Sequence, residues 1–442
     1  MRRTIALLAA SCALVLLIGC AGNSRGGPTI PPGDERPDDG DAQPGPQPPG
    51  QSPAGLLQPS ELSYAGAFRL PEASGGSSWE WGGDGMAYNP GGDPDGPDDG
   101  FPGSIFGVGH DWDKHVSEIS IPEPVVSGTK SLDALNTAGT LQSFRDVRGG
   151  VGRLDALQEM VRVGMACLPP QGGQGSGKLY LCWGQHLQEE AERVASHMWC
   201  ELDLSGSQGA WWVDAPSIYS VNDYMFEIPQ AWAEANAPGM RLASGRFRDG
   251  GWSGQGPALY AIGPWNHGNP PPDETVLDAV PLLQYSRAGS DEPQERVMDG
   301  YHHSDEWAGG AWLTSGDRAA VVFVGTKGTG ECWYGLPDGT VWEAPYPDDP
   351  ENQRGWWSSG FVGEMLFYDP SELAAVARGE MQPWEPQPYA TLAIDEQLYH
   401  VTSGQQKHHA GACAFDREHG RLYVFEPLAD GDRPLVHVWS VR

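Results

Sequence analysis

Basic residues are scarce in this 442-residue sequence, which contains 27 Lys and Arg against 59 Asp and Glu and has a formal net charge of −32. Proteins that bind nucleic acid need Lys and Arg to neutralise phosphates, so the composition excludes nucleic acid as a partner. The same deficit excludes electrostatic docking on an anionic membrane surface. The sequence predicts instead a protein whose acidic surface is solvated.

Several catalytic motifs are also absent from the sequence. From residue 60 onward it contains no GxSxG, no Walker A loop, no HExxH and no GxGxxG after a predicted strand, which excludes the commonest serine hydrolases, nucleotide enzymes and zincins. The one GxSxG of the sequence, at 22–26, lies in the segment rich in Pro and Gly. There is no CxxC pair, so neither a zinc ribbon nor a redox site of that type is predicted. Catalytic chemistry, if present, must therefore come from residues distributed along the chain.

The N-terminus carries the one feature that predicts a location. Arg2 and Arg3 precede the apolar run Thr4–Ile18, which is too short to cross a bilayer as a helix. The run ends in Leu-Ile-Gly-Cys at 17–20, and this segment resembles the lipobox of bacterial lipoproteins. The resemblance implies cleavage before Cys20, lipidation of its thiol and a lipid-anchored protein of the bacterial cell envelope. Ala21, by resemblance to Gram-negative lipoproteins, suggests sorting to the outer membrane.

Composition divides the rest of the chain into two parts. Residues 21–59 are rich in Pro, Gly, Ser, Asp and Gln and have few apolar residues, so we expect a disordered tether between a signal peptide at 1–20 and a domain at 60–442. Within that domain we expect the cysteines to be buried free thiols, although a bridge within the second repeat unit is an alternative; they are Cys167, Cys182, Cys200, Cys332 and Cys413.

Short strands recur along the predicted domain in groups of three or four. The last group comprises Ala412–Phe415, Arg421–Phe425 and Leu435–Val441, separated by turns. Similar groups begin near positions 85, 164, 243 and 310, and each begins with the strand that should lie innermost. Repeated antiparallel units that cannot bury both faces alone are typical of a β-propeller. The sequence therefore predicts an all-β fold, a β-propeller with five blades.

The chain ends predict how the ring closes. Ser63–Leu70 reads as a strand that precedes the first complete unit, whereas the last unit lacks an outer strand. We expect Ser63–Leu70 to pair with Leu435–Val441 and so complete the last blade.

One face of this propeller gathers the candidate functional residues. Loops that lead into innermost strands, and loops that join second to third strands, emerge at the same face, and most histidines fall in them. The candidate catalytic residues are His110, His115, His303, His409, Asp111 and Glu306. The candidate ligand-binding residues are Trp79, Trp81, Trp112, Tyr301, Trp307, Trp333 and Lys407.

Three interpretations of that face remain open. In the first, Trp and Tyr stack on sugars, and carboxylates or histidines bind a polysaccharide, with or without cleaving it. The repeat count resembles that of five-bladed glycosidases, and the His-rich face resembles that of propeller polysaccharide lyases. In the second, the motif HDWDKH at 110–115 contributes to a divalent metal site. In the third, the face is a non-catalytic recognition or scaffold surface of the envelope. A monomer without an organic cofactor is expected in each case.

Overall fold

The chain folds mainly into β-strands, with 42% of residues in strands and 8% in helices. The computed structural model describes residues 55–93, 101–149, 151, 154, 160–185, 194–215 and 221–442. These residues form five sheets, and their arrangement confirms the predicted all-β, five-bladed propeller. The predicted signal peptide with Cys20 and nearly all of the predicted tether lie outside the described residues.

Each blade is a sheet of four antiparallel strands, and two of the blades carry one short extra strand. The elements, in chain order, are β1 Gly55–Leu56, β2 Leu62–Arg69, β3 Met86–Asn89, β4 Ser104–Val108, β5 Val116–Ser120, β6 Thr140–Arg145, β7 Met160–Leu168, β8 Lys178–Gln185, β9 His197–Glu201, β10 Gln208–Val213, β11 Tyr224–Glu227, α1 Gln230–Asn236, β12 Leu242–Gly245, β13 Leu259–Ile262, β14 Val276–Leu277, β15 Ala279–Leu283, β16 Glu306–Ser315, β17 Arg318–Gly335, β18 Gly355–Tyr368, α2 Pro370–Ala377, β19 Ala390–Ala393, β20 Cys413–Asp416, β21 Arg421–Asp430 and β22 Arg433–Val441. Blades 1 to 5 consist of β3–β6, β7–β10 with β14, β11–β13 with β15, β16–β19 with β1, and β20–β22 with β2.

The innermost strands β3, β7, β11, β16 and β20 form a closed ring, since each packs against the innermost strands of both neighbouring blades. Glycine permits this close approach. A Cβ at Gly164 would lie 2.7 Å from the backbone of Tyr224 in blade 3, and a Cβ at Gly309 would lie 2.8 Å from the backbone nitrogen of Cys413 in blade 5. Side chains at these positions would force the blades apart.

Apolar side chains between adjacent blades form the core. The five largest clusters lie at the five interfaces between blades. In the cluster between blades 3 and 4, for example, Trp232 packs on Trp312 with ring centroids 4.7 Å apart. This arrangement explains why both faces of the strands are apolar, because each blade is covered on both sides by a neighbour.

The ring closes as the sequence predicts. β2 pairs with β22 in antiparallel register, from Leu62 opposite Val441 to Arg69 opposite Leu435. The backbone N–H of Arg442 also donates to the carbonyl oxygen of Glu61 at 3.1 Å. The last blade is thus built from both ends of the described chain, which leaves no open edge between blades 5 and 1.

The sequence-based assignment of blade 3 is wrong by one strand. Its innermost strand is β11, whereas Leu242–Phe247, predicted to be innermost, contains the second strand β12. β11 has four residues, as β3 and β20 do, but helix α1 separates it from β12, so the sequence pattern does not assign it to the repeat. As a result Arg241 and the turn Trp265–His267 lie at the end of the ring opposite to the one predicted for them.

The aromatic insertion of blade 4 continues two strands of the sheet. β17 and β18 extend past the blade as a hairpin, in which Trp333 lies opposite Trp357 and Tyr334 lies opposite Trp356. The hairpin rises from the end of the ring at which the chain enters the innermost strands.

All five cysteines of the described chain are free thiols. No helix in the described ranges is both long and apolar enough to cross a bilayer.

Candidate functional site

The central channel has a polar cavity of about 440 Å³ at the end where the innermost strands begin. Each blade contributes one charged or ionisable side chain immediately before, or at the start of, its innermost strand. These five residues, which define the charged mouth, are Asp84, Arg162, Asp223, Glu306 and His408. The loop between β12 and β13 adds Arg246, Arg248 and Asp249, and Trp81, Asp111, Phe247 and Trp307 complete the wall.

Ion pairs connect four blades across this cavity. Arg162 Nη1 lies 3.0 Å from Asp84 Oδ1, and its Nη2 lies 3.7 Å from Glu306 Oε2. Glu306 Oε2 also lies 2.6 Å from Nδ1 of His408. Because the partners come from blades 1, 2, 4 and 5, this network forms only when the ring is closed.

A second cation holds the blade 1 side of the cavity. Lys114 is 1% exposed and its ammonium group pairs with both Asp84 and Asp111. Burial alone would raise the pKa of Asp84, but Lys114 and Arg162 outweigh burial and hold that pKa below its ordinary value. Asp84 is therefore a fixed anion that orients the two cations.

Blade 3 contributes a buried pair. Arg246 Nε lies 3.3 Å from Asp223 Oδ1, and the side chains are 0% and 3% exposed. Arg246 also donates to Asn222 Oδ1 and to the carbonyl oxygen of Gln185, each at 2.9 Å. Burial raises the pKa of Asp223 to about 6, and Arg246 offsets this only in part. Asp223 can consequently exchange a proton near neutral pH.

Glu306 and Asp249 line the same cavity but differ in acidity. Burial would raise the pKa of Glu306, but His408, Arg162 and Lys407 lower it to about 2. Burial and the charge of Glu306 together raise the pKa of Asp249 above its ordinary value. The environment thus keeps one carboxylate ionised and favours the protonated form of the other, which is the division of roles that acid–base catalysis needs.

Four of the nine non-glycine residues with a positive φ in the described part of the chain lie at or beside the charged mouth. Trp81, Lys114, Asn222 and His408 have φ angles of 53°, 50°, 89° and 59°, in the left-handed region that non-glycine residues rarely adopt. All four belong to the mouth or lie next to one of its residues. Strain of this kind typically persists at functional sites, where the surrounding structure holds side chains in place.

Aromatic side chains form the rim of the cavity on the blade 1 side. Trp81 is 51% exposed and Trp112 is 87% exposed. His110 lies between them, with ring centroids 5.2 Å from Trp81 and 6.2 Å from Trp112 in edge-on geometry. Indole faces open to solvent beside a polar cavity are suited to stacking on an amphipathic ligand.

A second aromatic group joins the cavity to the hairpin. His303 stacks on Trp356 with ring centroids 4.3 Å apart, and Tyr301 Oη lies 3.2 Å from His303 Nδ1. The N–H of Gly250, next to Asp249, donates to the carbonyl oxygen of His303. Burial lowers the pKa of His303, which keeps its imidazole neutral near pH 7.

Of the residues predicted from sequence, four line the cavity: Asp111, Glu306, Trp81 and Trp307. His110 and Trp112 lie on its rim. Lys407 lies beside it, with its ammonium nitrogen 4.1 Å from the ring centroid of Trp357.

Two other predicted residues are buried, and their contacts are with residues outside the cavity wall. Trp79 is 1% exposed and packs on Phe144 with centroids 4.8 Å apart, in the core between blades 1 and 5. His409 is fully buried, with Nδ1 2.7 Å from Asp395 Oδ1 and Nε2 2.8 Å from the carbonyl oxygen of Gln406. The structure thus places both side chains away from the cavity wall.

Two further predicted residues also lie outside the wall. Trp333 donates its indole N–H to the carbonyl oxygen of Leu336 within the hairpin. His115 is half-buried, and its Nδ1 has no hydrogen-bond partner among the described residues. Neither side chain lines the cavity that contains Glu306.

Sequence reasoning missed four wall residues from blade 3, namely Asp223, Arg246, Arg248 and Asp249. The error in the strand order of that blade is the cause, since it assigned the β12–β13 loop to the wrong end of the ring. A signal was present: an acidic residue directly before an apolar strand, as at Asp84 and Glu306, recurs at Asp223.

The other end of the channel also has a cavity, of about 340 Å³. Residues from the innermost strands line it, and those that define this methionine mouth are Met86, Met165, Met225 and Cys413. Arg417 lies at its edge and pairs with Glu227 at 3.5 Å. Within the described part of the chain, neither mouth contains a group of three or more His, Cys, Asp or Glu side chains arranged to hold a metal ion.

The fold and the site together define a five-bladed β-propeller with a charged, tryptophan-rimmed cavity at one end. No protein-family model matches the sequence, and no curated protein is detectably similar to it. Solved structures with a similar fold include a glycosidase, the α-L-arabinofuranosidase Arb93A of Fusarium graminearum in complex with an iminosugar inhibitor, at 9% identity over 86% of each chain with a TM-score of 0.33. Another is the Cps50 (Swd1) β-propeller domain of Myceliophthora thermophila, at 10% identity over 86% of this chain and 100% of that chain with a TM-score of 0.23. Because both similarities are remote, the site is interpreted from its own residues.

Proposed function

We propose that the charged mouth binds a carbohydrate and hydrolyses a glycosidic bond in it. The observation that carries this proposal is the pair of carboxylates in one cavity, Glu306 with a pKa of about 2 and Asp249 with a raised pKa. Glycosidases of most families use two carboxyl groups, one protonated and one ionised, on either side of the bond that breaks. The charged mouth contains one carboxyl group whose pKa is lowered and one whose pKa is raised, in the same cavity.

In this mechanism protonated Asp249 donates its proton to the glycosidic oxygen as the bond to the anomeric carbon breaks. Ionised Glu306 stabilises the positive charge that develops on the sugar ring. A water molecule then gives a proton to the now ionised Asp249, and its hydroxyl group bonds to the anomeric carbon. Arg162 and His408 hold Glu306 in position through their ion pairs. Trp81 and Trp112 provide exposed indole faces on which sugar rings can stack.

A panel of purified polysaccharides tests the proposal. We expect new reducing ends with at least one of them, and no product with the double variant Asp249→Asn/Glu306→Gln. Arg378→Gln, at the opposite end of the ring on α2, serves as a control for an unrelated charge change. A product with the absorbance of an unsaturated uronate would indicate elimination in place of hydrolysis and would contradict the roles given to the two carboxylates.

A second candidate function is recognition without cleavage, as a binding or scaffold propeller of the cell envelope. The exposure of Trp81 and Trp112 favours it, since such residues commonly act as contact residues in interfaces. Binding of a glycan by the wild-type protein without any new reducing ends would support this function and contradict hydrolysis.

We also propose that the protein is a lipoprotein that is attached to a bacterial membrane through acyl chains on Cys20. The basic start, the short apolar run and Leu-Ile-Gly-Cys at 17–20 support this proposal. Mass spectrometry of the mature N-terminus tests it. Replacement of Cys20 by Ser should release the protein from the membrane fraction, and an unmodified cysteine would contradict the proposal.

A further inference from the structure

The charged mouth is much less acidic than the rest of the protein. The whole chain has 59 acidic side chains against 27 Lys and Arg. Around the cavity, the cations are Lys114, Arg162, Arg246, Arg248 and Lys407, and the carboxylates are Asp84, Asp111, Asp223, Asp249 and Glu306. The cations and carboxylates around the cavity are therefore equal in number, so the cavity is much less negative than the protein as a whole. Burial also raises the pKa values of Asp223 and Asp249.

Lys407 is the cation that the network of ion pairs does not use. Its ammonium nitrogen lies 4.1 Å from the ring centroid of Trp357 and 5.8 Å from that of Phe361. Its positive charge lowers the pKa values of both Glu306 and Asp249, so the ammonium group lies near both carboxylates. No carboxylate among the described residues lies within ion-pair distance of Lys407. The cation–π contact fixes a half-buried ammonium group beside the proposed reaction centre.

The pairing of a cation with an indole recurs on the same side of the molecule. Arg248, on the cavity wall, lies 4.8 Å from the ring of Trp252, which is 44% exposed. Near the tip of the hairpin, Arg354 lies 4.9 Å from the ring of Trp342. Because the hairpin rises from the charged mouth, these pairs extend outward from the cavity. At the charged mouth itself, Lys407 and Arg248 each place a positive charge beside an indole ring.

We propose that the ligand of the charged mouth is an acidic glycan, whose sugar units carry a carboxylate or a sulfate, and that Lys407 contacts this acidic group next to the bond at Glu306 and Asp249. This inference rests on the proposed function and specifies its substrate class. A neutral glycan offers no counter-charge to a partly desolvated ammonium group, whereas an acidic sugar forms a charge-assisted hydrogen bond with it.

Calorimetric titration with three oligosaccharides of equal length tests the proposal: a neutral cello-oligosaccharide, an oligogalacturonate and a sulfated oligosaccharide. All titrations use the full chain with Asp249→Asn, which should slow turnover about 10²-fold. We expect at least one acidic ligand to bind about 10-fold more tightly than the neutral one, as a charged hydrogen bond of moderate strength gives. The preference should weaken as salt is raised. The carboxylated and sulfated ligands distinguish the two sources of charge.

The variant Lys407→Gln separates the inference from the function on which it rests. It should remove the roughly 10-fold preference for the acidic ligand and leave binding of the neutral ligand unchanged, whereas Arg378→Gln, which removes an equal charge elsewhere, should keep the preference. Equal affinity of all three ligands for the protein, or an equal loss for all three in Lys407→Gln, would overturn the inference while glycan binding stood. Failure of every ligand to bind would overturn the proposed function itself.

Discussion

The two mouths of the channel are made from the same five repeats, yet their chemistry is opposite. The loops before the innermost strands, together with the first residues of β7 and β16, make the charged mouth, which contains an ion-pair network across blades. Residues farther along the innermost strands make the methionine mouth, where Met86, Met165 and Met225 are nearly fully buried. The difference shows that side chains farther along these strands serve packing, whereas the entering loops and the strand starts are free to carry chemistry.

The largest expected difference between the mouths concerns two glutamates. Glu306→Gln should lower the rate of hydrolysis about 10³-fold, because the ionised carboxylate that stabilises the developing charge is lost. Glu418→Gln, at the methionine mouth, should leave the rate unchanged. Initial rates of reducing-end release measure both effects, and a comparable loss in the two variants would show that the charged mouth is not the reaction site.

Asp249→Asn should lower the rate about 10²-fold and also alter its pH dependence. The raised pKa of Asp249 means that the protonated, active form predominates below that pKa and is lost as the pH rises through it. The wild-type rate should therefore fall on the alkaline side, and the variant should lose this limb. A pH–rate profile measures the effect; an unchanged alkaline limb in the variant would assign the proton to another group, such as Asp223.

A smaller effect is expected from the aromatic rim. Trp81→Ala should weaken glycan binding about 10-fold, because a stacked indole contributes roughly 1 kcal/mol beyond its buried area. Phe415→Ala removes an aromatic ring at the methionine mouth and should leave affinity unchanged. Calorimetric affinities of the two variants test this, and equal affinities for Trp81→Ala and the wild type would remove the rim from the binding site.

The smallest effect is expected where the methionine mouth is repacked. Met165→Leu conserves volume, so it should lower the free energy of unfolding by less than about 1.5 kcal/mol and leave hydrolysis unaffected. Denaturant unfolding and rate measurements on one preparation provide both numbers. A clear loss of activity without loss of stability would mean that the two mouths are coupled.

Much of the fold could be predicted because the strands are short, apolar and repeated. The pairing of Ser63–Leu70 with Leu435–Val441 followed from a missing strand at one end of the chain and a spare one at the other, and the structure has it in register. Blade 3 could not be predicted in the same way. Tyr224–Glu227 is no shorter than β3 or β20, but helix α1 separates it from the next strand of the blade, so the sequence pattern does not assign it to the repeat. The loss of one strand then inverted the assignment of every loop in that blade.

The candidate site was less accessible to sequence reasoning for a different reason. Asp84 and Arg162 are 78 residues apart, and Arg162 and Glu306 lie in different blades, so their contacts exist only once the ring has closed. Residue type alone could not separate His408, which contacts Glu306, from its neighbour His409, which is buried against Asp395. The left-handed backbone at His408, with φ of 59°, turns the two side chains to different sides.

The hydrogen bond between Arg442 and Glu61 has a consequence for how the chain could be rearranged. Gly55 in β1 lies opposite Arg318, whose Nη2 donates to the carbonyl oxygen of Arg442 at 3.1 Å. A short linker from Arg442 to Gly55 could therefore join the described ends and keep β1 in blade 4. New ends could then be opened at the exposed turn around Gly339, at the tip of the hairpin. The order in which the blades are synthesised is thus separable from the order in which they stand around the axis.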